Sequence, residues 1–191
     1  MAGSTFVPSP RLLALCRRRW ALPILAEFHR AEQVSGWKGG TRFVTLCHRL
    51  NVNQAAVRQS LDHLIEVGFV QRNSGYGHPL RPEYILTRRG ERLSPACEAV
   101  DSTLEKLRIR PLGLRRWSLP VLQVVDRLEP ARFTAVAHAL GDVTARALTL
   151  SLKSLCAAEL VEREVVDAFP VAIAYRPAAD AESLARHLER I

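Results

Sequence analysis

The sequence predicts an α+β chain, mostly helical with small β-hairpins, that is made of two tandem copies of one module. Two observations predict it. Blocks of sequence recur in the same order, and each copy shows the same succession of helical and strand patterns. A chain of 191 residues can hold two small domains. We expect the first module to span residues 1–110 and the second to span residues 111–191.

The repeat consists of three ordered blocks. RWALPIL (19–25) recurs as RWSLPVL (116–122), RFVTLCHRL (42–50) as RFTAVAHAL (132–140), and SLDHLIEVGFVQR (60–72) as SLKSLCAAELVER (151–163). The last block has an offset of 91 residues, which also aligns Tyr84 with Tyr175 and Leu93 with Leu184. Helical proteins share spaced leucines easily, but they do not share these ordered blocks. The sequence therefore predicts a duplication.

The first part of each module is predicted to be helical. In the first copy, apolar residues recur at helical spacing from Leu12 to Ala31, and Pro23 predicts a break or kink between two helices. The Gly-rich SGWKGG is a loop. Arg42-Phe43 fits the start of a short strand, and a short helix then runs from Phe43 to Leu50.

A turn and an amphipathic helix come next. Asn51-Val52-Asn53 is predicted to form the turn, with Asn53 as the N-cap. From Gln54 to Val67 the apolar residues recur with a helical period, and Gly68 ends the helix. Two helices joined in this way form a helix-turn-helix, whose second helix fits the ~12 Å major groove of DNA.

Two strands and a long helix complete the module. Residues 69–72 and 83–87 are predicted strands, with a flexible polar hairpin tip at 73–82, and a helix follows from about Arg88 to Lys106. A helix-turn-helix followed by a β-hairpin is the winged helix plan. We therefore expect two tandem winged helix-turn-helix modules that form a pseudo-dimer.

Several of these residues resemble the HxlR-type branch of the winged-helix regulators, close relatives of the MarR family. The resemblance lies in Trp20, Ile24-Leu25, Arg42-Phe43, the pattern Val52-Asn53…Val57…Leu61…Leu64, Gly68-Phe69-Val70…Arg72, and Tyr84-Ile85-Leu86-Thr87…Gly90…Leu93. It covers roughly residues 17–107. The second copy, about residues 115–190, resembles the family more weakly, because Pro177-Ala178 replace Leu-Thr and Ala181 replaces Gly90.

This resemblance implies a transcriptional regulator that binds duplex DNA. Such regulators are typically homodimers whose recognition helices read a palindromic site, so this chain is expected to act as a monomeric pseudo-dimer or as a homodimer. A small-molecule effector between the modules is a further expectation. Many members respond to electrophiles through a cysteine well before the tryptophan. Cys16 is only four residues before Trp20, so we do not assign it that role.

The candidate DNA-binding residues lie on the second helix of each pair and on the first wing. They are Gln54, Ala55, Arg58, Gln59 and Asp62 in the first copy, Ala145, Arg146, Thr149, Leu150 and Lys153 in the second, and Arg72, His78 and Arg81 on the wing. Arginine can bond guanine and glutamine can bond adenine, and a basic hairpin suits phosphate contact. The alternative is a solvated helix face and an ordinary exposed turn.

The positive charge is divided unequally between the copies. Residues 111–191 contain ten Lys or Arg and ten Asp or Glu, so the whole net charge of +8 lies in residues 1–110. The second wing is acidic and apolar, and we expect it to pack on protein or line a pocket. Its residues are Glu162, Glu164, Asp167, Val165, Val166, Phe169, Val171 and Ile173. Either the first copy does most of the binding, or the second copy has lost DNA binding, or both serve another purpose.

Other classes of protein fit the sequence less well. It contains no nucleophile–base motif, phosphate-binding glycine loop or metal spacing, so we expect no enzyme activity, cofactor or metal. The four scattered cysteines predict reduced thiols, and the absence of a long apolar run predicts a cytoplasmic protein without a membrane span. The alternative function is a ligand-binding, or even catalytic, protein on a tandem winged-helix scaffold that no longer binds DNA. A protein–protein adaptor is a third.

Overall fold

A computed structural model describes residues 6–35, 40–73, 83–166 and 172–191. The chain forms two compact units. The first unit holds Arg17–Ser102 with Ile191, and the second holds Thr103–Arg190 with the residues up to Cys16. The predicted modules, 1–110 and 111–191, follow the repeat in the sequence. The compact units follow the packing, which assigns the first helix and residues 103–110 to the second copy.

The first unit is a winged helix-turn-helix. Its elements are α2 (Ala21–Ser35), β1 (Thr41–Arg42), α3 (Phe43–Leu50), α4 (Gln54–Glu66), β2 (Val70–Arg72), β3 (Glu83–Leu86) and α5 (Arg88–Lys106), of which α5 continues into the second unit. The three strands form an antiparallel sheet in the order β1-β3-β2. The helix-turn-helix and the strands of the hairpin are thus present as the sequence predicts.

The second unit repeats this order. Its elements are α1 (Pro10–Cys16), α6 (Arg110–Gly113), α7 (Ser118–Arg127), β4 (Ala131–Arg132), α8 (Phe133–Leu140), α9 (Ala145–Ala157), β5 (Val161–Val166), β6 (Ala172–Pro177), a 3-10 turn (Ala179–Ala181) and α10 (Glu182–Leu188). The sheet order is β4-β6-β5, which matches that of the first unit strand for strand.

The duplication extends to individual pairings. In the first sheet Thr41 lies opposite Tyr84, and in the second Ala131 lies opposite the equivalent Tyr175. An ion pair recurs as well. Arg30 Nε lies 3.6 Å from Glu98 Oε1. At the equivalent positions of the second copy, Arg127 Nη2 lies 2.6 Å from Glu189 Oε1. The repeat seen in the sequence is therefore a repeat of tertiary contacts.

The sequence predicted a break or kink at Pro23, and the first helical region is instead interrupted at residues 17–20. The first helix, α1, ends at Cys16, residues 17–20 form a turn, and α2 begins at Ala21. Pro23 lies in the first turn of α2, where a backbone N–H has no intrahelical acceptor and a proline costs little. The prediction of two helices is confirmed, and the predicted position of the break is wrong.

Helix α1 belongs to the first copy in sequence but packs on α7 of the second. Its Leu12 and Leu15 are buried. The backbone N–H of Ser9 donates to Gln123 Oε1 at 3.2 Å, and Gln123 Nε2 donates in turn to the carbonyl of Leu188 at 3.2 Å. The buried amide of Gln123 therefore joins the N-terminal segment to the last helix of the second copy.

The Tyr-x-Leu-Thr-x-x-Gly motif fastens β3 and α5 to the end of α4. Thr87 Oγ1 donates to the carbonyl of Gly68 at 2.7 Å and accepts from the backbone N–H of Gly90 at 3.2 Å. A Cβ on Gly90 would overlap the carbonyl oxygen of Phe69, so only glycine fits without movement. The second copy carries Ala181 instead, and there a 3-10 turn takes the place of the first turn of the helix.

Candidate nucleic-acid interface

The turn between α3 and α4 is built by two asparagines. Asn51 adopts the left-handed conformation, with φ of 52°, which reverses the chain after α3. Asn53 Oδ1 then accepts from the backbone N–H of Ala56 at 2.9 Å, so Asn53 is the N-cap that the sequence predicts. The inward face of α4 is fully packed by Val57, Leu61 and Leu64.

The opposite face of α4 is exposed along its length. All five predicted outward residues are exposed, namely Gln54, Ala55, Arg58, Gln59 and Asp62. This face carries amide groups, a guanidinium and a carboxylate, which are the groups that discriminate adenine, guanine and cytosine in the major groove. The geometry therefore permits base contact, and it equally permits a solvated face.

Arg58 is held in place by an aromatic ring. Its guanidinium carbon lies 4.6 Å from the ring centroid of Phe43, the first residue of α3, whose side chain is 8% exposed. A guanidinium above an aromatic ring is attracted by the ring face, and its in-plane N–H groups stay available as donors. The sequence did not predict this contact, because no helical period relates residues on two helices separated by a turn.

The first wing is described only at its base. Arg72 in β2 is exposed and lies opposite Tyr84 in β3. The other two predicted wing residues, His78 and Arg81, lie outside the described residues. At the opposite edge of the sheet, Arg42 Nε lies 3.4 Å from Glu83 Oε1, so this arginine has an acidic partner.

Helix α9 of the second copy has the same construction with different outward residues. Its N-cap is Thr144, whose Oγ1 accepts from the backbone N–H of Ala147 at 3.2 Å. The predicted residues Arg146, Thr149 and Lys153 are exposed. Thr149 Oγ1 donates to the carbonyl of Ala145 at 2.8 Å, which uses its only hydroxyl hydrogen. Thr149 occupies the position of Arg58, so the arginine–phenylalanine stack is not repeated in this helix.

Two apolar residues of the second wing are exposed in the described part of its hairpin. Val165 and Ile173 lie opposite each other in β5 and β6, and they are 59% and 37% exposed. These two side chains do not pack against the rest of the described chain, so the expectation that the wing packs on protein or lines a pocket stays a prediction. Of the two strands, only Val161 and Ala174 are buried. The remaining predicted wing residues, Asp167, Phe169 and Val171, lie outside the described residues.

A further arginine–aromatic pair occurs just before α2 and again just before α7. The guanidinium carbon of Arg19 lies 5.5 Å from the ring centroid of Trp20, and that of Arg116 lies 4.8 Å from the ring of Trp117. Both arginines are exposed, while both rings are half-buried. These pairs place cations on the surface at equivalent positions. The repeated Arg-Trp dipeptide was visible in the sequence, although the stacking was not.

The cysteines are all free thiols. Cys97 is buried, and desolvation by burial raises the pKa of the Cys16 thiol to about 12. Burial also raises the pKa of the Cys47 and Cys156 thiols. In the described part of the chain, no three His, Cys, Asp or Glu side chains lie close enough together to bind a metal ion. No helix of that part combines the length and apolarity needed to cross a membrane.

Comparison with known protein families identifies the repeated domain. A family model described as HxlR-like helix-turn-helix matches residues 15–108 and, a second time, residues 113–191. Comparisons with curated proteins and with solved structures gave no significant match. The two matches cover most of the chain and coincide with the two copies of the repeat. The chain therefore belongs to the HxlR-like helix-turn-helix family of DNA-binding transcription regulators and carries the family's domain twice.

Proposed function

We propose that this chain regulates transcription by binding duplex DNA mainly through α4 and the wing of the first copy. The observation that carries the proposal is Arg58, an exposed guanidinium on the outward face of α4 that stacks on Phe43. An arginine ordered before binding loses less freedom on the DNA than an unconstrained one. Gln54 and Gln59 lie beside it as donors and acceptors for adenine.

The charge distribution supports a larger contribution of the first copy to DNA binding. All of the excess positive charge lies in residues 1–110, and contact with phosphate supplies most of the affinity of DNA-binding proteins. Arg72 at the base of the wing, together with the predicted wing residues His78 and Arg81, would contact the sugar–phosphate backbone beside the groove. The proposal includes a cytoplasmic location for the protein.

A second candidate function rests on the second wing. Its exposed Val165 and Ile173, together with Glu164, disfavour contact with phosphate. This surface favours a ligand-binding, or even catalytic, tandem winged-helix protein that no longer binds DNA. We also propose that a small-molecule effector binds to the chain, whichever of the two functions it has. The proposal includes both oligomeric states, a monomeric pseudo-dimer and a homodimer.

Titration of labelled duplexes with the full chain separates these functions. Duplexes are first selected from a random pool, and affinity is then measured at two salt concentrations. The proposed regulator binds its selected duplex tightly and loses affinity steeply with salt. The variant Arg58→Ala should lose ~1–3 kcal/mol on that duplex. The variant Arg190→Ala removes an exposed arginine outside α4 and the wing, and should lose far less.

Two results would contradict the proposal. Affinity no better than that of an unrelated basic protein would favour the ligand-binding alternative. Equal losses in the Arg58 and Arg190 variants would show that only total charge matters, and α4 would then have no part in reading sequence.

A further inference from the structure

We propose that α9 also reads DNA, and that the chain recognises an asymmetric site composed of two different half-sites. The inference rests on the proposed function, because it concerns the DNA sequence to which such a regulator binds. Regulators built from two identical subunits read palindromic sites, since both recognition helices carry the same side chains. In this chain the two helices belong to one polypeptide and have diverged separately.

The two helices share their length, their type of N-cap and their apolar inward face. Each has 13 residues, and each begins at a side-chain N-cap that accepts from the third residue of the helix. The buried apolar pairs are Val57 and Leu148, Leu61 and Leu152, and Leu64 and Leu155. The inward positions of Ser60 and His63 are buried in α4, and those of Ser151 and Ser154 are half-buried in α9. The same positions therefore face outward in α4 and α9.

The exposed positions differ without exception. The pairs are Gln54 and Ala145, Ala55 and Arg146, Arg58 and Thr149, Gln59 and Leu150, and Asp62 and Lys153. The chemistry changes as well as the residue. Asp62 can accept from cytosine, whereas Lys153 can donate to guanine, and Leu150, which is 60% exposed, suits the methyl group of thymine. Two helices with these faces select different bases.

The positive charge of α9 argues that its outward face still binds DNA. A copy that had lost DNA binding would have no reason to keep this helix free of acidic residues. The second copy is neutral as a whole, yet α9 carries Arg146 and Lys153 and no acidic residue. Helix α4 carries one arginine against Asp62 and Glu66. A further cation lies beside α9, because Arg115 Nη1 donates to Ser154 Oγ at 3.3 Å. The ten acidic residues of this copy thus all lie off the helix that would meet phosphate.

The test is selection of duplexes from a random pool by the full chain, followed by sequencing of the bound fraction. We expect a site with two unlike halves. Arg58→Ala should relax selection in one half only, and Arg146→Ala or Lys153→Ala in the other half only. Each variant should lower affinity for the wild-type duplex by about 5- to 100-fold.

A graft of one face onto the other helix gives the sharper result. The grafted variant carries the outward residues of α4 on α9, through Ala145→Gln, Arg146→Ala, Thr149→Arg, Leu150→Gln and Lys153→Asp. Because all five positions are exposed, the substitutions should leave the fold intact, which circular dichroism checks. The selected site should then consist of two like halves. If the graft does not fold, the single variants above still decide the question.

The outcomes separate this inference from the proposed function. A single half-site that is insensitive to Arg146→Ala and Lys153→Ala would overturn the inference and leave the first copy as the DNA reader. A palindromic site selected by the wild-type chain would overturn it as well. If no sequence is enriched, the proposed function itself fails.

Discussion

The stack of Arg58 on Phe43 allows a quantitative prediction about DNA affinity. The change is Phe43→Leu, which removes the ring from beneath the guanidinium and keeps an apolar side chain at this nearly buried position. Without the ring, Arg58 regains its rotamer freedom in the unbound protein. That freedom must be lost again when the guanidinium contacts a base, so the variant should bind its selected duplex more weakly.

The size of the effect follows from the geometry. An exposed cation–π contact contributes ~0.5–1 kcal/mol, and ordering one long side chain at an interface costs ~0.5–1.5 kcal/mol. A loss in this range raises the Kd by about 2- to 13-fold, since 1.4 kcal/mol corresponds to roughly a factor of ten. Complete loss of the arginine should cost more, because the base contact itself is then absent.

The assay is fluorescence anisotropy with the selected duplex, applied as a double-mutant cycle of Phe43→Leu and Arg58→Ala. Phe43→Leu should weaken binding in the wild-type background and have little effect once Arg58 is alanine. The matched control is Phe133→Leu, at the equivalent position of the second copy, where Thr149 carries no cation. An equal loss in both backgrounds, or the same loss from Phe133→Leu, would refute the positioning role of the ring.

Three further predictions concern stability and reactivity. Gly90→Ala should destabilise the first unit by ~2–4 kcal/mol in urea denaturation, because the new Cβ overlaps the Phe69 carbonyl. The matched change Ala181→Gly in the second copy should cost only ~0.5–1 kcal/mol. A Gly90→Ala variant of wild-type stability would contradict this prediction. Asn53→Ala should cost ~1 kcal/mol through loss of the N-cap, with Thr144→Ala similar in α9; unchanged denaturation midpoints would show that neither cap matters. Because burial raises the pKa of Cys16 to about 12, the thiol is protonated at pH 8, and mass spectrometry should find it alkylated more slowly than a free cysteine. Labelling at the rate of free cysteine would show a solvated thiolate.

The local parts of the fold could be predicted from the sequence. Helix α3 spans Phe43–Leu50 and α5 spans Arg88–Lys106, as the apolar spacing predicts, and α4 ends one residue before the predicted Val67. These bounds depend on N-caps, on Gly68 and on helical periodicity, all of which act within a few residues. The same helical period predicts which residues of α4 face outward, and all five of these residues are exposed.

Contacts between elements could not be predicted in this way. The ring beneath Arg58 comes from another helix, and α1 packs on α7 at a sequence separation of more than a hundred residues. The apolar pattern indicates which side chains favour burial, but it does not indicate whether the fold provides a surface that can bury them. Val165 and Ile173 illustrate this, because both are apolar and yet exposed, in strands of which only Val161 and Ala174 are buried.

The packing of α1 on α7 has a consequence for synthesis. The helix at Pro10–Cys16 leaves the ribosome about a hundred residues before α7, which begins at Ser118, and still longer before Leu188, to which Gln123 bonds. At ~5–20 residues per second, α1 waits roughly 5–20 s for its partner helix. During that time Leu12 and Leu15 are exposed to chaperones, and a ribosome that stalls between the two copies releases a first copy with an undocked helix.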